Sequence, residues 1–330
     1  MAVPDFHREK EAAREAARLA GQLCLAVRSE MLGHPARMEK AGREPVTIAD
    51  FGAQAVILHY LAEHFPTDAV LAEERAADFE RLADAAQHER IVRHVGAALG
   101  RTVTAGEIAR WLDYGRERVG SRVWAVDPID GTEGFLRGDQ FAIAIALLVG
   151  GAPVVGALAC PLLPFGAGGA TNARGVIALA VRGFGATLEP LVGGPRRPLR
   201  VSDRAEVSAA RIVESVEVAH TDHDFSARVL AAAGVGGQPV RMDSQAKYVA
   251  VADGRAEIYI RHSPGSDYHE KIWDHAAGVL IVQQAGGRVS DLDGRPLDFS
   301  RGARLSSNRG VLATNGFLHE ALLEAVRRCG

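Results

Sequence analysis

The chain has 330 residues, enough to bury a large core and more in keeping with two domains than one. Apolar residues make up 47% and charged residues 24%, the composition of a folded soluble protein and not of a disordered one. A formal net charge of -3 with no long basic run argues against a nucleic-acid partner.

Taken in chain order, residues 5 to 33 predict an amphipathic helix. Ala16, Leu19, Ala20, Leu23, Val27 and Met31 recur every three or four positions, and Gly33-His34-Pro35 ends it. A second helix is predicted from Ala49 to Phe65, with Asp50 in its first turn, and a short strand over residues 67 to 75 leads into Glu73-Glu74. Residues 76 to 120, rich in Ala, Arg and Glu, read as helical. Val123 to Val126 is a buried strand running into Asp127-Pro128, where proline is expected to force a turn. Phe141 to Val149 and Val154 to Cys160 form a hairpin through Gly-Gly-Ala-Pro, and Val176 to Val181 with Ala186 to Leu191 form another. Val192 to Pro198 is the best domain boundary. Beyond it come strand Arg211 to Val218, helix His223 to Ala233, strand Glu257 to Arg261 and helix Trp273 to Ala285. A last hairpin is expected at Asp293-Gly294. The longest apolar stretch, Phe141 to Val149, is too short to span a bilayer. Met1 to Lys10 has no apolar signal core, and Cys24, Cys160 and Cys329 are too few and too dispersed for a disulfide framework or a zinc site. A cytoplasmic location is expected.

The chemistry concentrates in Asp127-Pro-Ile-Asp-Gly-Thr132. Two carboxylates converging at a strand end repel each other unless a cation neutralises them, and aspartate oxygens suit a hard ion such as magnesium. The Ile129 carbonyl sits between them, and Thr132 opens a helix whose free N–H groups favour phosphate. The other reading is an Asp-Pro turn with a helix cap. Glu73-Glu74 is either a solvated acidic pair or one solvated and one inward carboxylate. Asp50 and Asp274 have ordinary readings as first-turn or capping acids. Four acidic sites, each at a strand end or helix start, are harder to dismiss together than singly. Lysine is scarce, with only Lys10, Lys40, Lys247 and Lys271 present, which tilts Lys247 towards a role that needs a compact ammonium.

These motifs, with Pro45-Val-Thr-Ile-Ala-Asp50 and Ala285-Gly286-Gly287, resemble the signature set of the inositol-monophosphatase-like superfamily of metal-dependent, lithium-sensitive phosphatases. Glu133-Gly-Phe-Leu-Arg-Gly-Asp-Gln140, Gly156-Ala-Leu-Ala-Cys-Pro161, Glu214-Ser-Val-Glu217, Asp243-Ser-Gln-Ala-Lys-Tyr248 and Glu270-Lys-Ile-Trp-Asp-His-Ala-Ala-Gly278 are similar to its 3'(2'),5'-bisphosphate nucleotidase branch. The resemblance implies an α+β or α/β chain in the layered αβαβα sugar-phosphatase-like fold. Residues 1–200 would carry a large antiparallel sheet and the metal site, and residues 201–330 an α/β domain with the nucleotide-binding residues. It implies two or three Mg2+ ions held by Glu73, Asp127, the Ile129 carbonyl, Asp130 and Asp274, and an attacking water positioned and deprotonated by Asp50 and Thr132. The substrate would be bound by Thr132, His220, Ser244, Lys247, Arg261 and Asp274, with Arg241 or Arg255 completing a basic trio for an uncleaved phosphate. Ser244 and Lys247 read otherwise as a helix cap and a solvated face, Arg261 as a surface charge, and His220 as a loop histidine with His223 as its competitor. The implied reaction is hydrolysis of adenosine 3',5'-bisphosphate to AMP, a step of sulfur metabolism, by a monomer or homodimer. The alternatives are an inositol mono- or polyphosphate phosphatase and a non-catalytic nucleotide sensor. Residues 76–120 show only a loose likeness to that branch.

Overall fold

A computed structural model describes residues 5–31, 37–40, 45–166, 174–217, 222–262 and 269–330. The chain opens with α1 (His7–Glu30), the short strands β1 (Arg37–Glu39) and β2 (Pro45–Thr47), and α2 (Ile48–His64). Then follow β3 (Ala69–Ala72), the helices α3 (Ala76–Leu82), α4 (Ala85–Leu99) and α5 (Ala105–Leu112), β4 (Arg122–Asp130) and α6 (Thr132–Arg137). The strands β5 (Ala142–Val149), β6 (Ala152–Pro164), β7 (Arg174–Val181), β8 (Gly185–Pro190) and β9 (Arg197–Pro198) complete a seven-stranded sheet in sequential order from β3. The second half holds β10 (Ile212–Glu214), α7 (His223–Ala233), β11 (Val240–Arg241), α8 (Ala246–Ala252), β12 (Ile258–Arg261), α9 (Ala276–Gln284), β13 (Arg288–Ser290), β14 (Val311–Thr314) and α10 (His319–Cys329). Its five strands run β11-β10-β12-β14-β13.

Three apolar clusters separate five layers. The first lies between α1, α2, α4, α5 and one face of the large sheet, and the second between the two sheets around α8 and α9. The third lies between the small sheet and α7 and α10. Strand alternation explains the spacing. In β5, Ile143, Ile145 and Leu147 face the first cluster while Ala142, Ala144 and Ala146 face α9. Small residues on that side let the middle helix approach closely, and a Cβ at Gly156 would sit 3.0 Å from the Ala277 carbonyl. The stretch Val192–Pro198 ends inside the large sheet, as β9, and the middle helical layer packs on both sheets. The layered fold implied by the sequence is the observed one.

Four details depart from expectation. Pro128 does not end its strand; β4 continues to Asp130, and a bulge places Asp127 opposite Ala144 and Asp130 opposite Ala142. Among the described residues of the predicted strand Arg211 to Val218, the ladder runs over Ile212–Glu214. Trp273 and Asp274 lie in a 3-10 turn ahead of α9. Asp293-Gly294 turns the chain, with Gly294 at φ +83° and its N–H donating to the Asp291 carbonyl. It joins no hairpin, because β13 pairs with β14 only after twenty further residues. The Gly33-His34-Pro35 stop lies outside the described residues.

One buried polar group outside the site makes stability pH-dependent. His319 opens α10, fully buried, with Nε2 2.9 Å from the Ser290 hydroxyl and Nδ1 3.0 Å from that of Thr314. Burial, with Arg288 nearby, lowers its pKa from 6.5 to about 4. The unfolded chain therefore binds the extra proton between those values, so this contribution is whole above pH 6.5 and is lost as pH falls towards 4. Urea titrations of the parent and His319→Gln should converge by about 2–3 kcal/mol across that window. Parallel pH profiles would refute the assignment.

Candidate active site

The acidic residues are brought together by strand register. β3 and β4 pair in parallel with Ala72 opposite Val126, and the Glu73 N–H donates to the Val126 carbonyl at 3.3 Å, so Glu73 leaves its strand beside Asp127. Proline has no N–H to give the ladder, and the Ile129 N–H turns back to Asp127 Oδ1 at 3.1 Å. Asp127, the Ile129 carbonyl and Asp130 thus share one strand end. Gly131 follows at φ +86°, and a Cβ there would meet Ser244 at 3.1 Å, so this turn packs directly on the segment before α8.

Asp274 arrives from the other half of the chain through Gln245. The Gln245 N–H donates to Asp130 Oδ2 at 2.6 Å, its side-chain amide donates to the Trp273 carbonyl at 2.9 Å, and its Oε1 accepts from the Gly278 N–H at 3.3 Å. Gln245 stands inside one of the sequence motifs, yet its function is tertiary and no local pattern signals it.

Electrostatics tie the four carboxylates to one neighbourhood. Burial, with the charges of Glu73, Asp130 and Asp274, pushes Asp127 well above the ordinary range. Asp274 is raised by burial, with Arg261 opposing and Asp130, Glu270 and Glu73 adding. Asp130 is raised by burial against the pull of Lys247 and Arg261. An all-oxygen set of mutually repelling acids fits a hard divalent cation, which would relieve the repulsion. Among the described residues, the one group of three ligand-type atoms lying within 4.8 Å of one another is Glu270, Asp274 and His275. No three of the predicted carboxylate ligands share that spacing, although Asp127 and Glu73 are within hydrogen-bond contact of each other. Glu73 is engaged by a cation of the chain itself: Lys40 Nζ lies 3.4 Å from Glu73 Oε1 and 2.5 Å from Glu74 Oε1. Of the acidic pair, Glu74 is the buried member, held by Lys40 and by backbone bonds to the Gln54 amide.

Asp50 bonds in two directions, one with each oxygen. Oδ2 accepts from the Thr47 N–H at 2.7 Å and the Thr47 hydroxyl at 2.6 Å, closing a capping box on α2. Oδ1 accepts from the Thr132 hydroxyl at 3.3 Å, which also lies 3.1 Å from the Ile129 carbonyl. Burial pushes Asp50 up to about 6, against the Thr47 hydrogen bonds and the Lys40 charge.

Two buried cations face this cluster. Lys247 is 2% exposed, its Nζ donates to the Met242 carbonyl at 3.0 Å, and it lies 5.4 Å over the Tyr259 ring. Burial pulls it down to about 8, with Asp130 holding it up. Arg261 is 7% exposed and forks onto Glu270. Neither is the surface charge its ordinary reading supposed. Ser244 does cap locally, its hydroxyl accepting from the Ala246 N–H at 3.2 Å. It is also the one non-glycine residue with positive φ among those described, at +68°. Both candidates for the third cation are paired with carboxylates. Arg241 is paired with Glu214, and Arg255 with Asp253 and the Pro164 carbonyl, past the far end of α8 from Lys247. His220 lies outside the described residues; His223 opens α7 beside Glu214.

The chain is similar to known proteins over nearly its whole length. The family model described as inositol monophosphatase family matches residues 7–330. A 3'(2'),5'-bisphosphate nucleotidase of Emericella nidulans is 36% identical, covering 96% of this chain and 98% of its own. A protein of the same name from Oryza sativa is 39% identical, covering 97% and 93%. Among solved structures, an inositol monophosphatase from Anabaena (Nostoc) sp. PCC 7120 superposes with a TM-score of 0.65 at 24% identity, covering 99% of this chain and 98% of that one; this likeness concerns the fold.

Proposed function

Because the chain belongs to the inositol monophosphatase family, we propose that it is a phosphoric monoester hydrolase acting as a Mg2+-dependent 3'(2'),5'-bisphosphate nucleotidase. It removes one phosphate from adenosine 3',5'-bisphosphate and releases AMP. The full-length likeness to nucleotidases supports the substrate. The observation that carries the chemistry is the Asp50–Thr132 contact at the edge of the acidic cluster, opposite Lys247 and Arg261.

In this reading Glu73, Asp127, the Ile129 carbonyl, Asp130 and Asp274 hold the magnesium. When bound, the ions supply Lewis acidity to the phosphoryl oxygens and make water a better nucleophile. The rest falls to the chain. Phosphoryl transfer demands positioning and charge stabilisation more than covalent chemistry. Thr132 Oγ1 orients the attacking water and takes its proton as its own hydroxyl proton passes to Asp50 Oδ1. A carboxylate near 6 is matched to that task at neutral pH. Lys247, Arg261 and Ser244, with His220, grip the nucleotide and its uncleaved phosphate. Direct attack by water inverts the configuration at phosphorus and leaves no phosphoenzyme. Three free cysteines support the cytoplasmic setting, and among the described residues no helix is long and apolar enough to cross a membrane.

The test is phosphate release from adenosine 3',5'-bisphosphate, inositol 1-phosphate and inositol 1,4-bisphosphate in Mg2+, with and without Li+. The nucleotide should be turned over fastest, with kcat/KM at least about tenfold above the inositol phosphates, the discrimination expected when buried cations are aligned on a second phosphate. If the nucleotide were the poorest of the three, the substrate assignment would fail; tight nucleotide binding without release would indicate a sensor.

A further inference from the structure

Arg261 is restrained for a cation meant to meet a substrate phosphate. Its Nε donates to Glu270 Oε1 at 2.9 Å, and its Nη2 lies 2.7 Å from Glu270 Oε2, a two-point fork. The same Nη2 is 3.8 Å from Asp274 Oδ2. Glu270 is itself fixed from behind. His275 Nε2 lies 3.2 Å from Glu270 Oε2, and the Tyr248 hydroxyl 2.7 Å from His275 Nδ1. A carboxylate only accepts, so Nε2 carries the imidazole proton, Nδ1 accepts, and the tyrosine donates. Tyr248 is packed against α9 so closely that a Cβ on Gly278 would come within 2.2 Å of its ring. The Glu270, Asp274 and His275 trio has the spacing of a metal site, but His275 already uses both nitrogens and Glu270 both oxygens.

We infer that Glu270, buttressed by His275 and Tyr248, is a positioning residue that keeps the Arg261 guanidinium off Asp274, leaving that carboxylate open to a divalent cation. The inference rests on the reading of Asp274 as a cation ligand. An arginine this near a buried carboxylate, once released from its Glu270 fork, would close on it as a charge-assisted pair and compete with the metal. The Glu270 fork supplies a better-placed acceptor. It also fixes the plane of Arg261, so that the edge of the guanidinium not used by Glu270 keeps one direction.

The test measures Mg2+ alone by titration calorimetry on the full chain without nucleotide, with folding checked by near-UV circular dichroism. Glu270→Gln, which keeps the shape but weakens the fork, should lower Mg2+ affinity by about tenfold. Adding Arg261→Gln to it should bring affinity back to within about threefold of the parent, because the competitor is gone. Arg261→Gln alone should bind Mg2+ at least as tightly as the parent, and this arm remains decisive if Glu270→Gln does not fold. Parental affinity in Glu270→Gln, no recovery in the double variant, or weaker binding in Arg261→Gln would each overturn the inference. A parent chain that bound no Mg2+ would overturn the reading of the acidic cluster and the inference with it. Because no substrate is present, a wrong nucleotide assignment would leave these outcomes unchanged.

Discussion

Asp127→Asn is expected to lower kcat for phosphate release by about 10³–10⁴-fold, the loss that several kcal/mol of transition-state charge stabilisation implies. Asp127 is buried, with Glu73, Asp130 and Asp274 all contributing charge at its carboxyl. Asparagine keeps the Oδ1 that accepts the Ile129 N–H, so the bulge at Pro128 survives while a ligand charge is lost. The same substitution should raise the stability of the metal-free chain, by about 1 kcal/mol, since it removes one of several like charges held together out of water. Thermal denaturation in EDTA alongside steady-state kinetics separates the two effects. Lost activity with lowered metal-free stability would mean that Asp127 is a structural acid, and full activity would remove it from the site.

Thr132→Val should lower kcat by about 10²–10³-fold with KM changed by less than about threefold. Valine preserves the volume but deletes the hydroxyl that lies 3.3 Å from Asp50 Oδ1. Lys247 and Arg261, the groups proposed to grip the nucleotide, are untouched. Asp50→Asn should lose a comparable or larger factor in kcat and also about 1 kcal/mol of stability, because an amide has one acceptor oxygen for the Thr47 and Thr132 donors that two carboxylate oxygens now serve. The pair of variants separates roles that one carboxylate combines. Thr132→Ser should keep most of the activity. Equal losses of stability in Thr132→Val and Asp50→Asn, or a loss expressed in KM alone, would count against Thr132 as the proton carrier.

Local patterns made much of this fold legible. α1 is read from apolar spacing, α2 from its first-turn acid and the proline after its end, and the large sheet from apolar runs joined by turn signals. Where sequence and structure part, long-range pairing decides. Nothing near Val311 announces that β14 lies between β12 and β13, and the alternation around Asp127 cannot show that a bulge, not a turn, carries the chain past Pro128. The site divides in the same way. Asp50, Glu73, Asp127, Asp130, Thr132 and Asp274 stand in short motifs whose roles are implied by their resemblance to a family's signature set. Lys40, Gln245, Glu270 and His275 cannot be read so. Each acts through a partner that only the tertiary fold supplies, as Gln245 does in binding both Asp130 and the Trp273 carbonyl. Burial is equally hidden: Lys247 reads as a solvated face until α8 is placed between two sheets.

The most direct measurement follows phosphate release from adenosine 3',5'-bisphosphate by the full chain stripped with EDTA and then titrated with Mg2+. The metal-coupled site predicts release no faster than the buffer blank after stripping, and a saturable return of activity as Mg2+ is added. Undiminished turnover in the stripped enzyme would contradict it.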